Sequence, residues 1–362
     1  MIDRKLLVNL DWLLLLSVLL LAVIGVTLVA SASQNLTSHY AQKQAAWCLI
    51  GVIMMLAAMS IDYHRLIDRA VIFYLPIVAA LLYLNVFGRI ISGARSWIVI
   101  GSARFQPSEF AKVVVALMLA KYFADFRQGM VSRRELGTVA WIVGIPLVLT
   151  ATQPDLGTAA TLLPLAGGAL ILAGTRTRWL IAMGVIGIFF CLLAWSFFLK
   201  DYQKARIVSF LTPEADPRGS GYHSIQSRIA VGSGGFYGKG FKQGSQSRLE
   251  FLPARHTDFV FSVLAEEEGF IGTISVLGLY ALVIFRGFRT ARNARDRAGL
   301  YLATCLSTLL AFHIIINVGM VAGLLPITGI PVPFLSYGGS FLLVTFISVG
   351  LIMNVRIRRT VN

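Results

Sequence analysis

The sequence predicts an all-α polytopic membrane protein with about ten transmembrane helices. Three observations carry this. Of the 362 residues, 57% are hydrophobic and 14% charged, whereas soluble domains carry roughly 25% charged residues. Apolar runs recur near 12–31, 45–60, 70–87, 108–124, 138–152, 156–174, 179–199, 258–285, 298–322 and 336–355. The basic residues between the runs fall mostly on one side. The runs must be helices, because lipid offers no partner to the polar edge of an open sheet.

The first run, WLLLLSVLLLAVIGVTLVASA, is too long for the core of a signal peptide, so it stays as a helix. The second and third flank Arg65 and Arg69. The fourth opens at Pro107, where Ser108 is placed to cap it, and carries Glu109 and Lys112 one turn apart. The fifth is short of the roughly 20 residues a crossing needs, which predicts a tilted or half-buried helix. The sixth follows a turn built on Pro154 and Gly157. After the seventh comes a long segment, 200–257, and the eighth run begins at Asp258. No repeated block is present, and residues 1–362 read as a single membrane domain. The three cysteines, Cys48, Cys191 and Cys305, fall inside apolar runs, which argues against a disulfide framework.

With the N-terminus inside, the inner segments hold 18 Lys and Arg and the short outer segments four, namely Lys43, Arg89, Arg95 and Arg104. The positive-inside rule then puts both termini in the cytoplasm. RNARDRAG (292–299) is a topology signal on this reading, and nucleic acid is not an expected partner. The outer segment 200–257 breaks the pattern with nine basic residues, among them Lys204, Arg206, Lys239 and Lys242. Its glycine-rich stretch VGSGGFYGKGFKQGSQSR (231–248) has two readings. Backbone N–H groups and cations could face a polyanion, or the stretch is a flexible surface loop. No P-loop pattern is present, so a nucleotide is not indicated.

Ionisable groups at membrane depth are costly and point to function. Glu109 and Lys112 either neutralise each other as a structural pair or line a polar cavity. Asp155, in TQPDLGTA (152–159), either caps the next helix or serves a site. Asp258, in ARHTDFVFSVLAEEE, either caps the eighth helix or acts as a general base on an alcohol beside an anionic leaving group. Burial would raise its pKa and nearby cations would lower it. His256 is the other candidate base. Glu266, Glu267 and Glu268 must face a cavity or a partner, or the helix breaks at Gly269.

Long motifs then carry a resemblance over nearly the whole chain: GARSWI (93–98), FQPSEFAK (105–112), TQPDLGTA (152–159), KARIVSFLTPEADP (204–217), GYHSIQSRIAVGSGGFYGKG (221–240), FLPARHTDFVFSVLAEE (251–267) and NVGMVAGLLPITGIPVPFLSYGGS (317–340). The chain resembles the SEDS family (shape, elongation, division and sporulation proteins), its RodA branch more than its FtsW branch. Two departures are Ser96, where the family often has Arg, and Phe341, where a small residue is usual.

The resemblance implies a peptidoglycan glycosyltransferase for cell elongation and rod shape. Such an enzyme polymerises lipid II into β-1,4-linked strands by an inverting reaction at the outer face of the bacterial cytoplasmic (inner) membrane. It implies Asp258 as the essential carboxylate, the Glu109–Lys112 pair in a cavity beneath it, and Asp155 and Arg206 near the site. Arg95, Lys239, His256 and Ser336, inside the shared motifs, join them as candidates for binding substrate or lining the cavity. Partners implied are a class B penicillin-binding protein and other elongation-machinery proteins. A divalent cation, Mg or Mn, is the one cofactor to consider, with no ligand set written in the sequence. The competing class is a flippase or transporter of the lipid-linked precursor, which also needs buried charge, although no matching half-repeat is present.

Overall fold

The computed structural model describes residues 9–34, 39–91, 93–101, 103–125, 131–197, 201–212, 220–248, 252 and 254–359. Its elements in chain order are α1 (Trp12–Ala32), α2 (Tyr40–Ser60), α3 (Tyr63–Asp68), α4 (Ala70–Phe87), β1 (Ile98–Ile100), β2 (Ala103–Phe105), α5 (Pro107–Ala124) and α6 (Arg133–Ala151). There follow α7 (Leu156–Ala160), α8 (Leu163–Leu172), α9 (Thr177–Phe197), α10 (Asp201–Leu211), α11 (Ser220–Ser233), α12 (Ser245–Arg248), α13 (Val260–Arg292), α14 (Arg297–Val321) and α15 (Gly339–Ile357).

Among the described residues, seven helices are long and apolar enough to cross a membrane: α1, α2, α4, α6, α13, α14 and α15. The other three expected crossings are α5, which carries Glu109, Lys112 and Lys121, the interrupted pair α7–α8, and α9. The bundle is a multi-pass membrane protein.

Several local expectations change. The fifth crossing is not short: α6 has 19 residues, because Ser132 and Glu135 form a capping box that starts the helix ahead of the apolar run. Ser108 does not cap α5, since Pro107 occupies the first turn and Gln106 is the N-cap. The helix α13 does break at Gly269, whose φ of 64° and ψ of −158° leave the helical region. The region 200–257 is largely helical where it is described. GARSWI leads into the small β1–β2 hairpin.

Packing puts α14 and α15 in the interior, while α2 and α4 keep broad apolar faces outward. The contact of α15 with α2 depends on glycine. A Cβ on Gly51 would lie 2.2 Å from the Phe346 ring, and one on Gly350 would lie 2.6 Å from the Met55 carbonyl oxygen. Small residues let membrane helices approach to that distance.

The two ends of the bundle differ. At the arginine-rich end, Arg286 and Arg356 converge on the buried Asp11, at 2.6 Å and 2.9 Å. There too His64 joins Asp62 and Asp296, each at 2.9 Å, and Tyr63 hydrogen-bonds Asp296. At the opposite end, α10, α11 and the glycine-rich segment pack beside the start of α13, and the segment 325–337 folds inward between α14 and α15.

Candidate active site

The inward segment, PITGIPVPFLSYG, is the hub of the opposite end. Its extended, proline-rich backbone cannot satisfy itself, so side chains from three helices hold it and a fourth helix packs directly on it. Asn317 of α14 donates to the Ile330 carbonyl at 2.8 Å, and His313 Nδ1 lies 3.1 Å from the Pro331 carbonyl. Tyr280 of α13 donates to the Pro333 carbonyl at 2.5 Å, and Gln44 of α2 to the Ser336 carbonyl at 3.2 Å. Gly25 of α1 allows the Phe334 carbonyl to press against its backbone, where a Cβ would stand 2.2 Å away.

Asp258 is fixed onto this hub through its backbone. Asn317 Nδ2 also donates to the Asp258 carbonyl, at 2.9 Å. Ser336 Oγ donates to the Thr257 carbonyl at 2.7 Å and accepts from Val332 N at 2.9 Å. Tyr337 N donates to the His256 carbonyl at 2.9 Å. The N-cap of α13 is Phe259, with no side-chain cap, so the Asp258 carboxylate is not consumed in capping. The half-buried carboxylate instead accepts from Thr257 and faces the Arg206 guanidinium of α10.

Gly329 lies beneath both charged groups. A Cβ there would stand 3.6 Å from Asp258 Oδ2 and 3.8 Å from Arg206 Nη1. The two groups are therefore no further apart than the sum of those distances, and any side chain at 329 would enter the space between them. The positive φ of 71° at Gly329 independently favours glycine. A second close approach ties in TQPDLGTA, since a Cβ on Gly157 would stand 2.4 Å from the Thr328 carbonyl. Asp155, two residues earlier, caps α7 through Thr158 N at 3.2 Å and also accepts from Gln106 Nε2 at 2.9 Å. It caps and belongs to the site's surroundings at once.

Glu109 and Lys112 form an ion pair of 2.7 Å with side chains 4% and 1% exposed. Lys112 Nζ lies 3.3 Å from His313 Nε2 and 5.4 Å from the centre of the Phe341 ring. The unusual phenylalanine after SYGGS thus packs on the lysine and on His313, at 5.0 Å. The pair connects through His313 to the hub that carries Asp258.

The remaining candidates divide. His256 packs against Tyr40 with the rings tilted and their centroids 4.5 Å apart, and burial, then the Arg255 charge, pulls it below the ordinary histidine range. Ser336 is a backbone clamp, fully buried. Lys239 is taken up elsewhere: its ammonium meets Glu266 Oε1 at 2.7 Å and donates to Ser233 and Ser245, each at 2.8 Å. The glycine-rich stretch docks into the break at Gly269, with Lys239 N donating to the Glu266 carbonyl and Gly240 N to the Glu267 carbonyl. Glu267 meets Ser31 Oγ of α1 at 2.5 Å. Arg95 is exposed in the loop before the hairpin and donates to the Asn85 carbonyl at 3.2 Å. Among the described residues, no group of three or more His, Cys, Asp and Glu is placed to hold a metal.

His313 and Asn317 escaped the sequence reading. A signal existed: they are the two strongly polar residues near the end of an apolar helix, four apart and so on one face.

The fold and the site define a polytopic membrane protein with an opposed acid and base, Asp258 and Arg206, at one end of its bundle. A family model described as cell cycle protein, FTSW_RODA_SPOVE, matches residues 10–361. The chain belongs to this family. It is 39% identical over 353 residues to the peptidoglycan glycosyltransferase MrdB of Escherichia coli (strain K12), covering 97% of this chain and 95% of that protein. It is 34% identical over 424 residues to the peptidoglycan glycosyltransferase RodA of Treponema pallidum, covering 96% and 98%. Among solved structures, a chain of a peptidoglycan synthase complex that coordinates polymerization and crosslinking matches with a TM-score of 0.83 and 31% identity, over 98% of this chain and 99% of that one. The rod shape determining protein RodA of Thermus thermophilus matches with a TM-score of 0.74 and 27% identity, over 98% of each chain.

Proposed function

We propose that this chain is a peptidoglycan glycosyltransferase that polymerises lipid II, with Asp258 as the general base. The observation that carries the reading is the convergence of Asp258 and Arg206 over the bare Gly329. An inverting transfer needs one carboxylate to take the proton of the acceptor 4-hydroxyl. That oxygen then bonds to the donor's anomeric carbon as the bond to pyrophosphate breaks. The geometry follows inverting hydrolysis, with an alcohol in place of water. The leaving pyrophosphate carries its own charge and needs cations rather than an acid. Arg206 is the nearest such group, with Lys204 and Lys242 on the same outer segment. The proton passes from Asp258 to solvent at the pocket mouth.

The arginine-rich end lies in the cytoplasm on the positive-inside rule, with both termini, and the pocket opens on the outer face of the bacterial cytoplasmic membrane. A lipid-anchored sugar would meet Asp258 at that level. The partner is a class B penicillin-binding protein that cross-links the new strand, in keeping with the synthase complex to which the chain is similar. The transport alternative is tested in the absence of a bilayer. Purified protein in detergent with lipid II should form glycan strands, read on a gel. A protein that moves lipid II across vesicles and forms no strand, with the partner present, would return the transport reading.

A further inference from the structure

The arginine-rich end carries more charge than its packing uses. Asp11 is 1% exposed and its carboxylate is saturated. It accepts from Leu14 N at 3.2 Å, from Arg286 Nε at 2.8 Å and Nη2 at 2.6 Å, and lies 2.9 Å from Arg356 Nη1. Arg289 and Arg359 are exposed, each three residues beyond a member of that pair, and both act electrostatically on Arg356. Two guanidinium groups, from α13 and the end of α15, are therefore pinned on one carboxylate, with two more close enough to act on Arg356. Topology alone calls for basic residues at this end, but not for two of them pinned on a buried acid with two exposed ones beside them. The flanks are apolar and open: Trp12 and Leu13 beside Asp11 are 56% and 53% exposed, and Phe285 and Phe288 beside Arg286 and Arg289 are 62% and 40% exposed. In a bilayer, groups one turn from the helix ends fall at headgroup level, with the apolar flank facing the acyl chains.

We propose that Arg286, Arg289, Arg356 and Arg359 form a binding site for the phosphate headgroup of an anionic phospholipid, whose acyl chains lie along the exposed face of α1 and α13. The surplus of positive charge supplies the attraction, and Asp11 holds Arg286 and Arg356 in place so that the site is pre-formed. An acidic soluble peptide would gain nothing from the apolar flank, which favours the lipid.

The test uses the full-length protein in nanodiscs of phosphatidylcholine with increasing phosphatidylglycerol, the retained lipid being counted by native mass spectrometry. The double variant Arg289→Gln/Arg359→Gln leaves the Asp11 pairs intact. Each guanidinium near a charged surface contributes about fivefold, so this variant should hold phosphatidylglycerol about 25-fold more weakly. The variant Arg65→Gln/Arg134→Gln removes the same charge from exposed positions at the same end, and should retain the lipid as the wild type does. Equal retention by the Arg289/Arg359 variant overturns the proposal. So does equal loss in the control pair, which would mean a diffuse charge effect, or full stabilisation by inorganic phosphate alone, which would mean a free-anion site.

Discussion

Replacing Asn317 with leucine should damage the enzyme in two measurable ways. The side chain is fully buried and makes two hydrogen bonds, to Asp258 O at 2.9 Å and Ile330 O at 2.8 Å. Leucine has similar bulk and no donor, so two carbonyl groups lose their partner in a dry environment. Each such group is destabilising by about 1–3 kcal/mol, which gives about 2–6 kcal/mol for the pair. The same bonds set the position of the peptide that bears Asp258, the proposed base. A misplacement on the order of 1 Å lowers a rate about 100-fold. Unfolding in mixed detergent–SDS solutions reads the first effect, and strand synthesis from lipid II reads the second. The loss should fall on kcat, with KM for lipid II unchanged, because Asn317 holds the backbone of Asp258, the proposed base. Asn317→Gln, which keeps the amide, should recover part of both. A leucine variant that is destabilised by less than about 0.5 kcal/mol and keeps its kcat would refute the positioning role.

Three further outcomes are expected. Lys112→Met should destabilise by about 3–5 kcal/mol, since it strands a buried Glu109, whereas Lys112→Met with Glu109→Gln should recover most of that loss in the same unfolding assay. His64 is pulled down by burial but raised overall by hydrogen bonds and charge from Asp62 and Asp296, so its contribution is full below its unfolded pKa and fades as pH rises through the folded one. Its side chain is 49% exposed, so the difference in stability between wild type and His64→Gln should be at most about 1 kcal/mol and should shrink from pH 6 toward pH 8. Gly269→Ala should undock the glycine-rich stretch, because the backbone there is strained for any other residue by about 1–3 kcal/mol and a Cβ would stand 2.3 Å from Gly238 N. Faster proteolysis within 234–244 would report it.

Much of this was legible because it is local. Ten apolar runs follow from hydropathy, the Glu109–Lys112 pair from a three-residue spacing, and the break at Gly269 from three acids no continuous crossing would tolerate. The misread features depend on neighbours outside the window. Ser108 has the chemistry of a cap, but Pro107 moves the helix start by one turn position and leaves Gln106 in that place. The start of α6 is set by Ser132 and Glu135, which lie outside the apolar run that suggested a short helix. Lys239 has the charge to meet a pyrophosphate, yet Glu266, 27 residues on, takes its ammonium. Ser336 sits in a shared motif and serves as a backbone clamp rather than a contact surface. His313 and Asn317 acquire meaning only when the 325–337 segment folds inward and brings its carbonyls to them.

The most direct test of the account is the rate of strand formation by Asp258→Asn. The protein is purified with its cognate class B penicillin-binding protein, cross-linking is blocked, and lipid II is supplied in a single turnover. Asparagine keeps the size of the side chain and its place over Gly329 while removing the base. The account predicts lipid II binding as in the wild type and strand formation slower by about 100- to 10,000-fold. Strands formed at the wild-type rate by a folded Asp258→Asn protein would contradict it.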